Sequence, residues 1–365
     1  MITAERRDVF MSGSSFTLFA VRTQSRAFAF LEACYPPRVS HRNLSPVWRK
    51  LLSILLASAF VGQTGCTIFR SGQKIQRSAP RFAVLPLVRS KQNHLLVYAY
   101  INNKPAWLCV DSGAPITAVA EHRREHFRLT EFISDAAGPA RIRINGSFDS
   151  LATVHSLQLG GLNLIDEGVV VVDLGNTSRV ARLLHEPAID GILGTDILFP
   201  TQAILDCERQ VLILKLDPNI PGTAPGVSFR GYHKLPMFVS ESFNLYVDSS
   251  INGIPARLMV DTGAFVTILH QSFVRQMQIP TEETGYRSTA VNLKQHGIQV
   301  ATIRRLSLGR IHMESKDVGV IDLEGLIQRG LLEASPPAVG LLGAEILREH
   351  HGIIDFGTRT LYLKK

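Results

Sequence analysis

Two short segments of the 365-residue chain set a carboxylate, a hydroxyl and two small residues in the same order, Asp111-Ser112-Gly113-Ala114 and Asp261-Thr262-Gly263-Ala264. An apolar run leads straight into each Asp, at residues 107–110 and 258–260. A carboxylate at the end of a buried strand costs several kcal/mol unless it is hydrogen-bonded or paired, so each position calls for a partner. If the two carboxylates met, they would share one proton, because both cannot ionise side by side. The ionised member would take a proton from water while the protonated member donated to a carbonyl oxygen, which is hydrolysis by general acid and base with no metal or cofactor. Taken alone, either tripeptide is ordinary turn chemistry.

The spacing of the two segments lifts them above turns. Residues 101–117 and 251–267 agree at 10 of 17 positions with an offset of 150. With the offset reduced to 149, Leu159-Gly160 matches Leu308-Gly309, Asp173-Leu174 matches Asp322-Leu323, and residues 191–198 meet residues 340–347. This is an internal duplication, with copies over about 83–216 and 233–365 and a Pro/Gly-rich linker at 217–232. Both copies keep Asp, hydroxyl, Gly and Ala while their neighbours diverge to Trp107/Arg257 and Pro115/Phe265. Packing alone would not single out those four. The elements that must position them read as β: short alternating or β-branched runs such as 95–101, 168–172, 212–214 and 245–251, broken by Asn-Gly and Gly-Gly turns. Helical signals are short, at 120–127, 195–198, 273–277 and 344–351.

Each Asp-Ser/Thr-Gly-Ala segment is followed about 80 residues later by an apolar-apolar-Gly segment, Ile192-Leu193-Gly194 or Leu341-Leu342-Gly343. With that combination the chain resembles a retropepsin-like aspartic protease over both copies. The resemblance implies an all-β fold of two homologous β-barrel lobes related by a pseudo-twofold axis, so that one chain is an intramolecular pseudo-dimer and a monomer. It implies an aspartic endopeptidase acting on peptide or protein substrates, with Asp111 and Asp261 as the catalytic pair. Aspartic proteases are the standard example of two carboxylates sharing a proton. Ser112 and Thr262 would fasten the two loops, Gly113 and Gly263 would allow close backbone approach, and Gly194 and Gly343 would be the ψ-loop glycines. Ala114 and Ala264 stand where pepsin-like relatives often carry a hydroxyl, which predicts a less depressed dyad pKa and activity at mildly acidic to neutral pH. The flap regions depart from the family; Asn145-Gly146 and Gln295-His296-Gly297 are the candidate tips. The rival from another class is a catalytically silent bilobed lipoprotein that binds peptides or envelope proteins.

The first part of the chain carries different information. Residues 1–91 hold 14 Lys/Arg against 3 Asp/Glu, and the remaining residues hold 25 against 28, so the net charge of +8 comes from a basic leader. A body of slightly acidic balance argues against nucleic-acid binding. Trp48-Arg49-Lys50, the apolar run 51–61 and small residues up to Cys66 follow the order of a secretory signal. Gln63-Thr64-Gly65-Cys66 resembles a bacterial lipobox, which makes Cys66 the candidate lipidation site; cleavage near Ala57-Ser58-Ala59 is the alternative. Residues 47–66 are thus expected to be a signal, 67–82 a tether and 1–46 an upstream segment, with Val47 a candidate initiator. An exported protein of the periplasm or cell envelope, lipid-anchored, is the expectation. No apolar run approaches the ~18 residues of a membrane span.

Two other patterns offer rival chemistry. His122-Arg-Arg-Glu-His126 matches a zinc-binding spacing, with Glu186 as a conceivable third ligand, but Ser272 and Gln276 occupy the equivalent places in the second copy. Cys109 and Cys207 correspond to Met259 and Phe356, apolar positions where buried thiols are the default and a disulfide the alternative.

Overall fold

A computed structural model describes residues 81–365, apart from 133–140, 145–146, 175–176, 218, 220–223, 225, 242, 288–296, 329–331, 333 and 335–336. The signal, Cys66 and the expected tether up to residue 80 lie outside the described residues, as do Asn145-Gly146 and Gln295-His296, and the last tether residue, Phe82, already begins the first strand.

Each copy of the duplication closes into a six-stranded barrel. In lobe 1 the strand Leu95–Ile101 pairs with Lys104–Val110, which runs parallel to Gly191–Leu193. Gly191–Leu193 pairs with Ala118–Ala120, this with Leu162–Val172, and this with Ser147–Leu159, which returns to Leu95–Ile101. Lobe 2 repeats the circuit through Leu245–Ile251, Ile254–Val260, Ala338–Leu342, Ile268–His270, Ile311–Ile321 and Gly297–Leu308. Closure leaves no barrel edge among these strands, and alternate residues fill the interior. Leu108, Val110, Leu157 and Leu193 do so in lobe 1, and Leu258, Val260, Leu306 and Leu342 in lobe 2, within one continuous apolar core.

A third, antiparallel sheet joins the lobes. Its order is Phe82–Arg89, Val211–Lys215, Ile204–Asp206, Ile353–Asp355, Thr360–Leu363 and His233–Val239, three strands from each lobe, meeting where Leu205 faces Ile354. The outer strands serve two sheets. Phe82–Pro86 pairs in the joining sheet and Leu87–Arg89 in barrel 1; His233–Pro236 and Met237–Val239 do the same for lobe 2. The switch falls after Pro86 and after Pro236, residues that have no N–H to give a ladder.

The strands are longer than the sequence runs indicated: Leu162–Val172 and Val211–Lys215 contain the shorter expected segments. Residues 120–127 divide into a 3₁₀ turn, Glu121–Arg123, and one α-turn, Arg124–Phe127, rather than a continuous helix. The other expected helices are Thr195–Leu198, Gln271–Gln276 and Ala344–Glu349. Two further helices, Thr177–Leu184 and Glu324–Ile327, were not apparent in the sequence. Cys109 and Cys207 are free, buried thiols.

Candidate active site

Both Asp residues stand where a parallel strand pair ends. Val110 lies beside Leu193 and the Asp111 N–H donates to the Leu193 carbonyl at 3.0 Å. Val260 lies beside Leu342 and the Asp261 N–H donates to the Leu342 carbonyl at 3.0 Å. The chain then turns sharply, with the N–H of Ala114 and of Ala264 reaching back to the carbonyls of Asp111 and Asp261, each at 3.4 Å.

The two turns interlock through their hydroxyls. Ser112 Oγ donates to the Val260 carbonyl at 2.7 Å and accepts from the Thr262 N–H at 3.1 Å. Thr262 Oγ1 donates to the Val110 carbonyl at 2.7 Å and accepts from the Ser112 N–H at 2.9 Å. Both side chains are buried, so all four bonds form away from competing water. The glycines set the separation. A Cβ on Gly113 would come 2.7 Å from Asp261 Cγ, and one on Gly263 would come 2.7 Å from Asp111 Cγ. Each loop therefore packs its backbone against the carboxyl group of the other, and only glycine fits.

Thus held, the two carboxyl groups hydrogen-bond to each other. Asp111 also accepts the Gly113 N–H at 2.8 Å, and Asp261 accepts those of Gly263 and Ala264 at 2.9 and 3.0 Å. Burial pushes both pKa values up. Asp261 is driven well above the ordinary range because the Asp111 charge adds to burial. The rise of Asp111 is moderated by the Gly113 N–H, by the bond with Asp261 and by the nearby His94. Two carboxyl groups so placed cannot both ionise, so the pair holds one shared proton.

Gly194 and Gly343 support these loops from behind. Their N–H groups donate to Thr117 Oγ1 at 3.0 Å and Thr267 Oγ1 at 3.1 Å. The next residues, Thr195 and Ala344, donate to the carbonyls of Ala114 and Ala264, each at 2.8 Å. Two carboxylates close the arrangement. Asp196 accepts the Thr117 N–H at 2.9 Å and its hydroxyl at 2.7 Å, and Glu345 accepts the Thr267 N–H at 2.8 Å. Sequence reasoning overlooked this pair, although both copies keep Thr117/Thr267 and an acid two residues past the glycine. His94 was overlooked as well, since its counterpart is Asn244 and the duplication gave no signal there.

His122 and His126 are both exposed, one on the 3₁₀ turn and the other on the single α-turn. Glu186 is engaged by the Lys91 N–H at 2.5 Å. Among the described residues no three His, Cys, Asp or Glu side chains gather to hold a metal ion.

Two family models match the chain in tandem. The aspartyl protease family covers residues 97–197 and the gag-polyprotein aspartyl protease family covers residues 247–349. The chain belongs to the retropepsin-like aspartyl proteases. Each match takes in one Asp loop and one ψ-loop glycine of this tandem protease, and together they span more than half of it. No curated protein matches the protease chain.

Proposed function

We propose that the protein is an endopeptidase that hydrolyses peptide bonds with a water molecule activated between Asp111 and Asp261. The observation that carries the reading is the four-bond lock of Ser112 and Thr262, which holds two carboxyl groups in mutual hydrogen bonding across the lobe boundary. Ionised Asp111 takes a proton from water as the oxygen attacks the scissile carbonyl carbon, and Asp261 gives its proton to the carbonyl oxygen. Collapse of the tetrahedral diol breaks the C–N bond as the proton on Asp111 passes to the leaving nitrogen and a diol hydroxyl returns its proton to Asp261 while the carbonyl re-forms. The pair returns to one shared proton. Because both pKa values are raised, the singly protonated pair persists toward neutral pH, and activity is expected at mildly acidic to neutral pH.

Incubating the purified protein with a denatured peptide library at pH 3–8, beside its Asp261→Asn variant, tests this by mass spectrometry. Cleavage by the parent alone, unaffected by chelator, is the expected result; a folded parent that cuts nothing overturns it. We further propose that the enzyme works as a monomer outside the cytoplasm, tethered through lipid on Cys66. Support for this is the charged, apolar and small-residue order of residues 48–66. Labelled fatty acid should enter the parent and not a Cys66→Ala variant.

A further inference from the structure

The two Asp loops differ in the residue set just ahead of the first barrel strand. Lobe 1 has His94 there and lobe 2 has Asn244. Their backbones behave alike, each donating its N–H to a serine four residues back, Ser90 at 3.1 Å and Ser240 at 3.2 Å. The His94 side chain crosses to the other lobe, where Nε2 lies 3.1 Å from the carbonyl oxygen of Gly263. A carbonyl only accepts, so Nε2 carries the proton. Nδ1 is buried and has no hydrogen-bond partner among the described residues. Two carboxylates act on the ring through their charge, Asp111 of the catalytic loop and Glu186 of the segment after helix Thr177–Leu184.

We propose that His94 is a positioning residue of the dyad: it clamps the Asp261 loop through Gly263 and, on gaining a second proton at Nδ1, holds Asp111 ionised. The proposal rests on the two-aspartate reading above. Burial lowers the His94 pKa, and Asp111, the Gly263 carbonyl and Glu186 act against that lowering. The ring is therefore neutral at neutral pH and becomes a cation on acidification. That charge appears beside Asp111 as falling pH begins to protonate it. It opposes the protonation, and the ionised form survives to lower pH than the carboxyl pair alone would allow. Asn244 has no such charge to offer Asp261, so the device is one-sided and reinforces the assignment of Asp111 as the base.

Two variants of the full chain separate the clamp from the charge. His94→Gln keeps an N–H able to reach Gly263 and cannot become a cation; His94→Ala keeps neither. In both, the acid limb of the pH–activity profile is expected to move up by roughly one unit while the alkaline limb stays. Only His94→Ala should lose thermal stability. A His94→Gln profile that superimposes on the parent would overturn the electrostatic role. Carboxyl ¹³C titration of Asp111 in parent and His94→Gln protein gives the same decision without turnover. If the parent cuts no peptide, the proteolytic reading falls, and an upward shift of the Asp111 titration in the variant still supports the coupling. An unchanged titration overturns it.

Discussion

Lobes 1 and 2 are two solutions to one architecture, and they diverge most where the shared dyad does not constrain them. The Asp turns, the locked hydroxyls, the glycines and the Thr–carboxylate braces correspond residue for residue. Behind the braces the correspondence ends. Lys316 of lobe 2 lies 3.7 Å from Glu345 and 3.2 Å from Glu349. Its counterpart in lobe 1 is Glu167, whose raised pKa owes part of its rise to the charge of Asp196. Lobe 1 thus sets two acids where lobe 2 sets an ion pair. Further out, Arg123 pairs with Asp190 at 2.7 Å in lobe 1, and the equivalent Phe273 and Val339 of lobe 2 pack against the core. A twofold requirement preserves the centre, and each lobe has found its own means of support around it.

Breaking the symmetric centre gives the largest effects. Asp111→Asn and Asp261→Asn should each lower kcat about 10²–10⁴-fold, because a lone carboxyl cannot serve as both acid and base. Peptide cleavage by the purified variants checks this, and a variant within tenfold of the parent would break the equivalence of the lobes. The lock comes next. Thr262→Val removes a donor to Val110 and an acceptor for Ser112, leaving two buried backbone groups without partners, at a cost of about 3 kcal/mol. Ser112→Ala strips the matching groups of Val260 and Thr262 and should cost about the same, since the loops mirror each other. Denaturant unfolding compares the two; a lopsided result would place the burden of the interface on one lobe.

That centre was largely legible in the sequence because the duplication displayed it twice. Asp, hydroxyl, Gly and Ala survived in both copies while Trp107/Arg257 did not, and the chain was thereby compared with itself. The two closed lobes followed from the same repeat. The sheet joining them did not, since it depends on pairings such as Leu205 with Ile354 that link residues far apart, and short apolar runs carry no record of their partners. Helix Thr177–Leu184 escaped for another reason. At eight residues it is too short for its apolar positions Val180, Ala181, Leu183 and Leu184 to stand out from a strand run, and its counterpart in lobe 2 is the four-residue helix Glu324–Ile327, so the duplication did not mark it either. His94 escaped because it makes the site asymmetric: with Asn244 at the equivalent place, the duplication carries no trace of it.

The acid pair of lobe 1 makes a pH-dependent contrast. Burial, then the charges of Asp196 and Asp166, pushes Glu167 up to about 7, and burial pushes Asp196 up to about 6 against the bonds from Thr117. Folded values above the ordinary ones mean that stability is full below about pH 4 and declines as pH rises through about 6 and about 7. The Glu167 share of that decline is about 2 kcal/mol once solvent screening is allowed for. Glu167→Lys should copy the lobe 2 arrangement and flatten the dependence, leaving stability at pH 8 above that of the parent. Thermal unfolding at pH 4, 6 and 8 tests this; an unchanged slope in the variant would show that Glu167 and Asp196 do not feel each other.

The smallest expected difference lies on the outer faces of the barrels. Tyr98 sits opposite Trp107 across two strands of lobe 1, with ring centroids 5.2 Å apart at 66°, and Tyr100 stands 5.3 Å from Tyr98. The equivalent cross-strand pair in lobe 2 is Asp248 and Arg257, bonded at 2.7 Å, with the guanidinium 4.2 Å above the Phe238 ring. An edge-to-face aromatic pair contributes about 1 kcal/mol beyond its buried area, and an ion pair with one exposed partner about 0.5 kcal/mol. Alanine double-mutant cycles at 98/107 and 248/257 should return coupling energies in that order. Salt separates them further: raising the ionic strength to about 1 M shortens the screening length to ~3 Å and should diminish the 248/257 coupling while leaving 98/107 unchanged. Equal salt sensitivity would mean that the rings of lobe 1 owe their association to neighbouring charges rather than to each other.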